Sequence, residues 1–336
     1  MIWLKFLLCL AIILFAGAKL ARYGDIIAEK TGLGRIWIGL MLLAGITSAP
    51  ELVTSVSSVA LVDAPDLALG TLLGSCLFNL TILALLDILY RPAPVLSRVS
   101  SRHMISAGMG ILLIAVAAGD IFIRENSPGL TLGWIGALSI IILVLYLASA
   151  WRTFRFERSH QPQPLQTSPR QYDKGPVGKI WLKFALAAGA VVGAGIWLSF
   201  VGNEIAETTG WGANFIGSLF LAIATSMPEM VVAIAALRLG AIDMAVADIL
   251  GANMLDITHI FTVDLFYTQG AVLSSVSRAH LITAAVVVVM NLVIILGLRF
   301  RQQRKALSVI SWYGPVLIGL YIFGACALFS SGIGLG

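Results

Sequence analysis

Two acidic side chains stand where acids are costly. Glu51 closes the run Thr47-Ser48-Ala49-Pro50-Glu51, and Glu229 closes Thr225-Ser226-Met227-Pro228-Glu229. Each lies near the middle of a long apolar stretch. An ionisable group in the bilayer core costs at least about 2.5–3.5 kcal/mol on insertion scales. Two such groups at equivalent positions call for a compensating cation. Each Pro lacks an N–H and clashes with the carbonyl four residues back. That frees carbonyls around Ile46-Thr47 and Ala224-Thr225, beside the Ser and Thr hydroxyls of the same turn. Carboxylate, hydroxyl and carbonyl oxygens together suit a hard cation. Taken alone, a Pro in a membrane helix is often only a kink, and a Ser or Thr often bonds its own backbone.

A second pair of segments adds oxygen and nitrogen. Ser75 and Asn79 are four apart and share a helix face. Their partners in the other half are Ala252 and Asp256, and the run Gly70-Thr71-Leu72-Leu73-Gly74-Ser75 lets another helix approach closely. Asp248 lies eight residues before Asp256. Two readings of it stay open, a cytoplasmic access path and helix packing. Asp63, Asp66, Asp87, Asp243 and Asp264 fall at span ends, as caps or in water. His103 and His280 begin spans, His160 lies in a linker, and His259 stands alone inside a span, without the company a metal site needs. Cys9, Cys76 and Cys326 sit in apolar stretches at no metal spacing and read as small buried hydrophobes.

The elements that must position these residues are membrane helices. The chain has 336 residues, 59% hydrophobic and only 12% charged, with a mean hydropathy of +0.94. That is half the charge of a soluble domain, which excludes a soluble enzyme, a disordered tail and a fibre. The net charge of +5 fits cytoplasmic loops rather than nucleic acid, because no basic run is interleaved with aromatics. A crossing helix needs about 20 apolar residues. Ten candidates emerge: 2–19, 35–60, 67–90, 104–119, 130–150, 180–200, 212–237, 244–267, 280–297 and 310–332. The segment 151–179 is basic and Pro-rich, a linker too short for a folded domain.

The two groups of five repeat each other. Trp3-Leu4-Lys5-Phe6 recurs as Trp181-Leu182-Lys183-Phe184. At the same offset of 178, Ala28-Glu29 matches Ala206-Glu207, Ile38-Gly39 matches Ile216-Gly217, and Pro50-Glu51 matches Pro228-Glu229. At offset 177, Asp66 matches Asp243, Gly74 matches Gly251, Asn79 lies over Asp256, Asp87 over Asp264 and His103 over His280. The first segment has the look of a leader, with Lys5 and small residues at Ala16-Gly17-Ala18, but its match to the sixth marks it as a span. Lys19, Arg22, Lys30 and Arg35 follow span one, whereas 198–213 has no Lys or Arg. Only Arg124 follows span four, against Arg299, Arg301, Arg304 and Lys305 in the second half. The bias swaps sides, as an inverted repeat requires. With the N- and C-termini outside and the linker cytoplasmic, nineteen of the 22 Lys and Arg face the cytoplasm; Lys5, Arg124 and Arg278 do not. The expected fold is an all-α integral membrane protein of ten transmembrane helices in two inverted five-helix repeats, 1–150 and 180–336, joined by 151–179.

The paired Thr-Ser-x-Pro-Glu motif, followed by Gly-Ser-x-x-x-Asn or a variant, resembles the sodium/calcium exchanger family of the cation/calcium antiporter superfamily. The resemblance covers nearly the whole chain, in the prokaryotic form without regulatory domains. It implies a transporter of the cell membrane, not an enzyme, with no cofactor, no nucleic-acid partner and a monomer sufficient for transport. Its partners are inorganic cations and the bilayer. It implies Glu51 and Glu229 as central calcium ligands, the carbonyls of Thr47 and Thr225 completing the calcium shell, Ser48, Ser226 and Ser75 as sodium ligands, and Asn79 and Asp256 as the amide and acid of spans three and eight. Spans one and six would slide as a gate across the other eight. The chain departs from the pattern at Ile46 and Ala224, where the family favours Gly, at Cys76, where it often has Asn, and at Ala252, which replaces the Ser equivalent to Ser75. The expected activity is exchange of Ca²⁺ for Na⁺ by alternating access; a Ca²⁺/H⁺ antiporter of the same fold is the alternative. A channel is disfavoured because the acids form two inequivalent sets in one chain rather than an oligomeric ring. An intramembrane enzyme is disfavoured because no His-Glu-x-x-His motif or nucleophile–base pair is present.

Overall fold

The computed structural model describes residues 1–31, 44–123, 130–159, 177–301, 304–305 and 309–332. These are almost entirely helical. The helices are α1 (Ile2–Thr31), α2 (Ala49–Ala60, after a helical turn at 44–47), α3 (Pro65–Leu89), α4 (His103–Ile123), α5 (Ala137–Ser159), α6 (Val177–Thr209), α7 (Ala213–Thr225), α8 (Met227–Arg238), α9 (Ile242–Phe266), α10 (His280–Phe300) and α11 (Tyr313–Gly332).

Seven described helices are long and apolar enough to cross a bilayer, and α7 with α8, bent by 43°, makes an eighth. The chain is a multi-pass membrane protein. Of the other two expected spans, 35–43 of the second lies outside the described residues, as do Ile38-Gly39, Arg35, Arg124, His160 and most of the linker. The fifth is α5, whose apolar part, Ala137–Arg152, is shorter.

α3 and α9 form the centre. Both are mostly buried and carry apolar residues on every side, the pattern of a helix enclosed by helices. They pack on each other; α4 and α10 close over them, with α4 on α9 and α10 on α3. α1 and α6 lie along one another at the periphery. They run antiparallel: Lys5 near the start of α1 pairs with Glu204 near the end of α6 at 2.8 Å, and Ile26 and Ile27 near the end of α1 pack with Ile180 near the start of α6. Both helices outrun the apolar stretches expected at 2–19 and 180–200, because each continues to pack on the other toward both ends. Leu4, Leu7, Leu8, Phe15, Leu182 and Leu186 leave an exposed apolar face for lipid.

Glycine sets the closest approach. A Cβ on Gly74 of α3 would lie 2.3 Å from the carbonyl oxygen of Ser218, and one on Gly217 would lie 2.5 Å from the carbonyl oxygen of Leu67. Where α3 presses on α7, residues Gly217–Leu221 widen into a π turn.

Two of the span-end acids, Asp87 and Asp264, are buried structural hubs rather than solvated caps. Asp87 is fully buried and accepts from the amides of Val95 and Ser311 and the hydroxyls of Ser311 and Tyr313. Asp264, its counterpart, accepts from the amides of Gly136 and Val272 and the Ser139 hydroxyl. The Gly136 bond belongs to a two-residue antiparallel hairpin, β1 (Thr131–Leu132) with β2 (Ile135–Gly136). This hairpin occupies 131–136, where a helix starting at 130 was expected, because Asp264 holds the strand in place. His103 meets Asp243 and His280 meets Asp66, each at 3.0 Å. Cys9 and Cys76 are buried, but Cys326 is exposed on α11. An apolar stretch on a lipid-facing helix has an outer side that composition does not distinguish.

Candidate functional site

The same local break occurs twice. Ser48 (φ −81°, ψ 7°) and Ser226 (φ −85°, ψ 8°) interrupt their helices with nearly identical backbone angles. Each precedes a helix whose second residue is the Pro, Pro50 in α2 and Pro228 in α8. Proline is tolerated in a first helical turn, where its missing N–H has no partner to lose. The break therefore puts Glu51 and Glu229 in the first turns of new helices, where the helix dipole favours negative charge. The carbonyls of Ile46 and Ala224, four residues before each Pro, receive no N–H from it.

The two halves then hold each other. Ser226 Oγ donates to Glu51 Oε1 at 2.8 Å, and Ser48 Oγ donates to Glu229 Oε1 at 3.1 Å. Asn79 Nδ2 donates to Asp256 Oδ2 at 3.4 Å. Residues equivalent by the repeat are thus brought into direct contact between α3 and α9. Ser75 and Thr225 lie beside the Glu51 carboxyl. The hydroxyls of Thr47 and Thr225 turn back onto the carbonyls of Ala44 (3.1 Å) and Leu221 (3.0 Å), which leaves their backbone carbonyls as the groups they can offer.

All nine expected residues, Thr47, Ser48, Glu51, Ser75, Asn79, Thr225, Ser226, Glu229 and Asp256, are 0% exposed. Several of their oxygens nevertheless meet no donor: Glu51 Oε2, Glu229 Oε2, Ser75 Oγ, Asn79 Oδ1 and Asp256 Oδ1. Buried polar atoms are nearly always paired, and an unpaired carboxylate oxygen is the costliest exception. Among the described residues no three His, Cys, Asp or Glu side chains stand close enough to hold a metal ion by themselves. The acids do not form a compact carboxylate cage. Any ion here would take hydroxyl, amide and carbonyl oxygens as well, the mixed set that hard cations use.

Two residues join the site that motif reading did not assign. Asn253 and Cys76, equivalent at offset 177, bond reciprocally: Cys76 Sγ to the Asn253 carbonyl at 3.6 Å, and Asn253 Nδ2 to the Cys76 carbonyl at 3.4 Å. Their equivalence is the signal that points to this pairing. His259, three residues after Asp256 on α9, is buried with Nδ1 unpaired.

Comparison with known proteins follows the same lines. The model of the family described as sodium/calcium exchanger protein matches residues 1–152 and 179–330. The inner membrane protein YrbG of Escherichia coli K12 is 29% identical over 274 residues, covering 78% of this chain and 79% of that protein. Two solved structures share the fold: native YfkE (TM-score 0.65, 20% identity, covering 96% of this chain and 91% of that one) and the sodium-calcium exchanger NCX_Mj (TM-score 0.62, 20% identity, 97% and 99%). With that match spanning nearly the whole chain, the protein belongs to the sodium/calcium exchanger family of membrane transporters.

Proposed function

We propose that the protein is a secondary active antiporter that exchanges Ca²⁺ for Na⁺ by alternating access at a site in the middle of the membrane. The observation that carries this reading is the crossed pairing of Ser48 with Glu229 and Ser226 with Glu51, which leaves one buried oxygen of each Glu unpaired. Glu51 and Glu229 are the central calcium ligands, with the carbonyls of Thr47 and Thr225. Ser48, Ser226 and Ser75 serve flanking sodium ions, and Asn79 and Asp256 close the site from α3 and α9. Glu51, Glu229 and Asp256 supply a formal charge of up to −3. Left without cargo, these carboxylates would sit bare in low dielectric; crossing empty is therefore penalised, and exchange is obligatory.

The full architecture in this reading is ten spans in two inverted repeats, 1–150 and 180–336, with 151–179 on the cytoplasmic side and the start of α1 outside. The antiparallel packing of α1 on α6 and the matched breaks at Ser48 and Ser226 support it. α1 and α6 slide as the gate.

One observation favours proton coupling instead. Ala252 stands at the position equivalent to Ser75 and removes a hydroxyl from the second half. Ca²⁺ uptake by proteoliposomes, with Na⁺ and pH gradients imposed separately, tests both readings. Uptake driven by the Na⁺ gradient alone supports Na⁺ exchange, uptake driven by the pH gradient alone supports H⁺ exchange, and uptake driven by neither overturns antiport.

A further inference from the structure

One buried acid has no equivalent in the crossed pairing. Asp248 is 1% exposed, and both of its carboxylate oxygens lack a hydrogen-bond partner among the described residues. None of the described ion pairs includes it. It lies on α9 eight residues before Asp256, about 12 Å away along the axis at the helical rise of 1.5 Å per residue. α8, which carries Glu229, packs against α9. Its neighbours Ala245, Ile249, Leu250 and Ala252 are all buried and apolar.

The repeat supplies a control. The residue equivalent to Asp248 is Thr71, whose hydroxyl donates to the Leu67 carbonyl one turn back at 2.8 Å. Thr258, on α9 itself, does the same to Met254 at 2.8 Å. Asp248, at the same position of the second half, has no hydrogen-bond partner on either carboxylate oxygen. Both oxygens of Asp248 are therefore open to a cation, whereas the Thr71 hydroxyl is committed to its own helix.

We propose that Asp248 is an additional cation-binding position for Ca²⁺, present in the second half only, on the stretch of α9 between Asp243 and Asp256. The proposal rests on the antiporter reading and deepens it. It makes the two halves of the permeation path unequal: the half with Thr71 has no such position, and the half with Asp248 does.

The test uses the full-length protein with Ca²⁺ as probe. Two quantities are measured: the Ca²⁺ concentration giving half-maximal uptake in proteoliposomes, and that giving half-maximal thermal stabilisation of the purified protein. In Asp248→Asn and Asp248→Thr, the second copying the natural Thr71, both half-saturating concentrations should rise about tenfold, since charged-ligand count tunes calcium affinity. Asp248→Glu should stay within about threefold of wild type. Unchanged half-saturation in both uncharged variants overturns the proposal. So does a gain in metal-free thermal stability with no loss of Ca²⁺ affinity, the mark of a packing residue. If wild type itself shows neither uptake nor stabilisation by Ca²⁺, the antiporter reading falls first and this one falls with it.

Discussion

At the residue scale, the two glutamates share one environment and divide their oxygens in one way. In each, one oxygen takes a hydroxyl from the opposite half and the other is unpaired. Replacing either carboxylate with its amide removes a charge while keeping the shape. Glu51→Gln and Glu229→Gln should each reduce Ca²⁺ uptake in proteoliposomes at least tenfold, about 1.4 kcal/mol or more, with expression and membrane insertion unchanged. Wild-type uptake in either variant would remove that residue from the site. Ser48→Ala and Ser226→Ala test the crossed pairing. Each leaves a buried carboxylate oxygen without its donor, a loss of about 1–3 kcal/mol, and each should weaken Ca²⁺-induced thermal stabilisation. An effect confined to one of the two would show that the halves are not energetically equivalent.

At the scale of elements, backbone proximity decides which glycines matter. Gly74 meets the Ser218 backbone, which cannot rotate away, so Gly74→Ala must push α3 from α7. Overpacking of this kind costs about 1–3 kcal/mol and should lower the thermal midpoint. Gly119→Ala, on α4, is the matched control: nothing lies within 4 Å of its added methyl. A helical Ala there stabilises by about 0.5–1 kcal/mol, and the midpoint should hold or rise. Gly17 is a different case, because its added methyl would meet the Pro228 ring at 2.4 Å, where α1 crosses the start of α8. If α1 slides during transport, Gly17→Ala should slow maximal Ca²⁺ uptake more than it changes the half-saturating concentration. A pure affinity loss would argue against sliding at this crossing.

At the scale of the molecule, α3 and α9 with their covering helices form the core, while α1 and α6 make their largest contact with each other. The ion pair between Lys5 and Glu204 adds little to that. Its side chains are 41% and 45% exposed, and exposed pairs contribute about 0–1 kcal/mol. Lys5→Met should leave the thermal midpoint almost unmoved, and a large fall would mean that this pair anchors the outer helices. Orientation is tested by introducing a single cysteine into 160–176 of a variant lacking Cys9, Cys76 and Cys326. Labelling by an impermeant reagent from the cytoplasmic side only is the expected result.

Much of this was legible in the residues themselves. Low charge and long apolar stretches require lipid, because a chain so poor in charge cannot cover a soluble surface. The acid, proline and hydroxyl motif, present twice, marks the breaks and the buried carboxylates, because each residue acts through local chemistry: a missing N–H, a side-chain oxygen, a charge. What tertiary structure alone decided is which oxygen meets which. That Ser48 serves Glu229 rather than Glu51, that Cys76 faces Asn253, and that Asp87 and Asp264 are buried hubs rather than wet caps all depend on contacts between segments some 125 to 225 residues apart. The length of α1 and the side of α11 that carries Cys326 were likewise set by neighbours. Periodicity and composition describe one helix at a time, and these features belong to the spaces between helices.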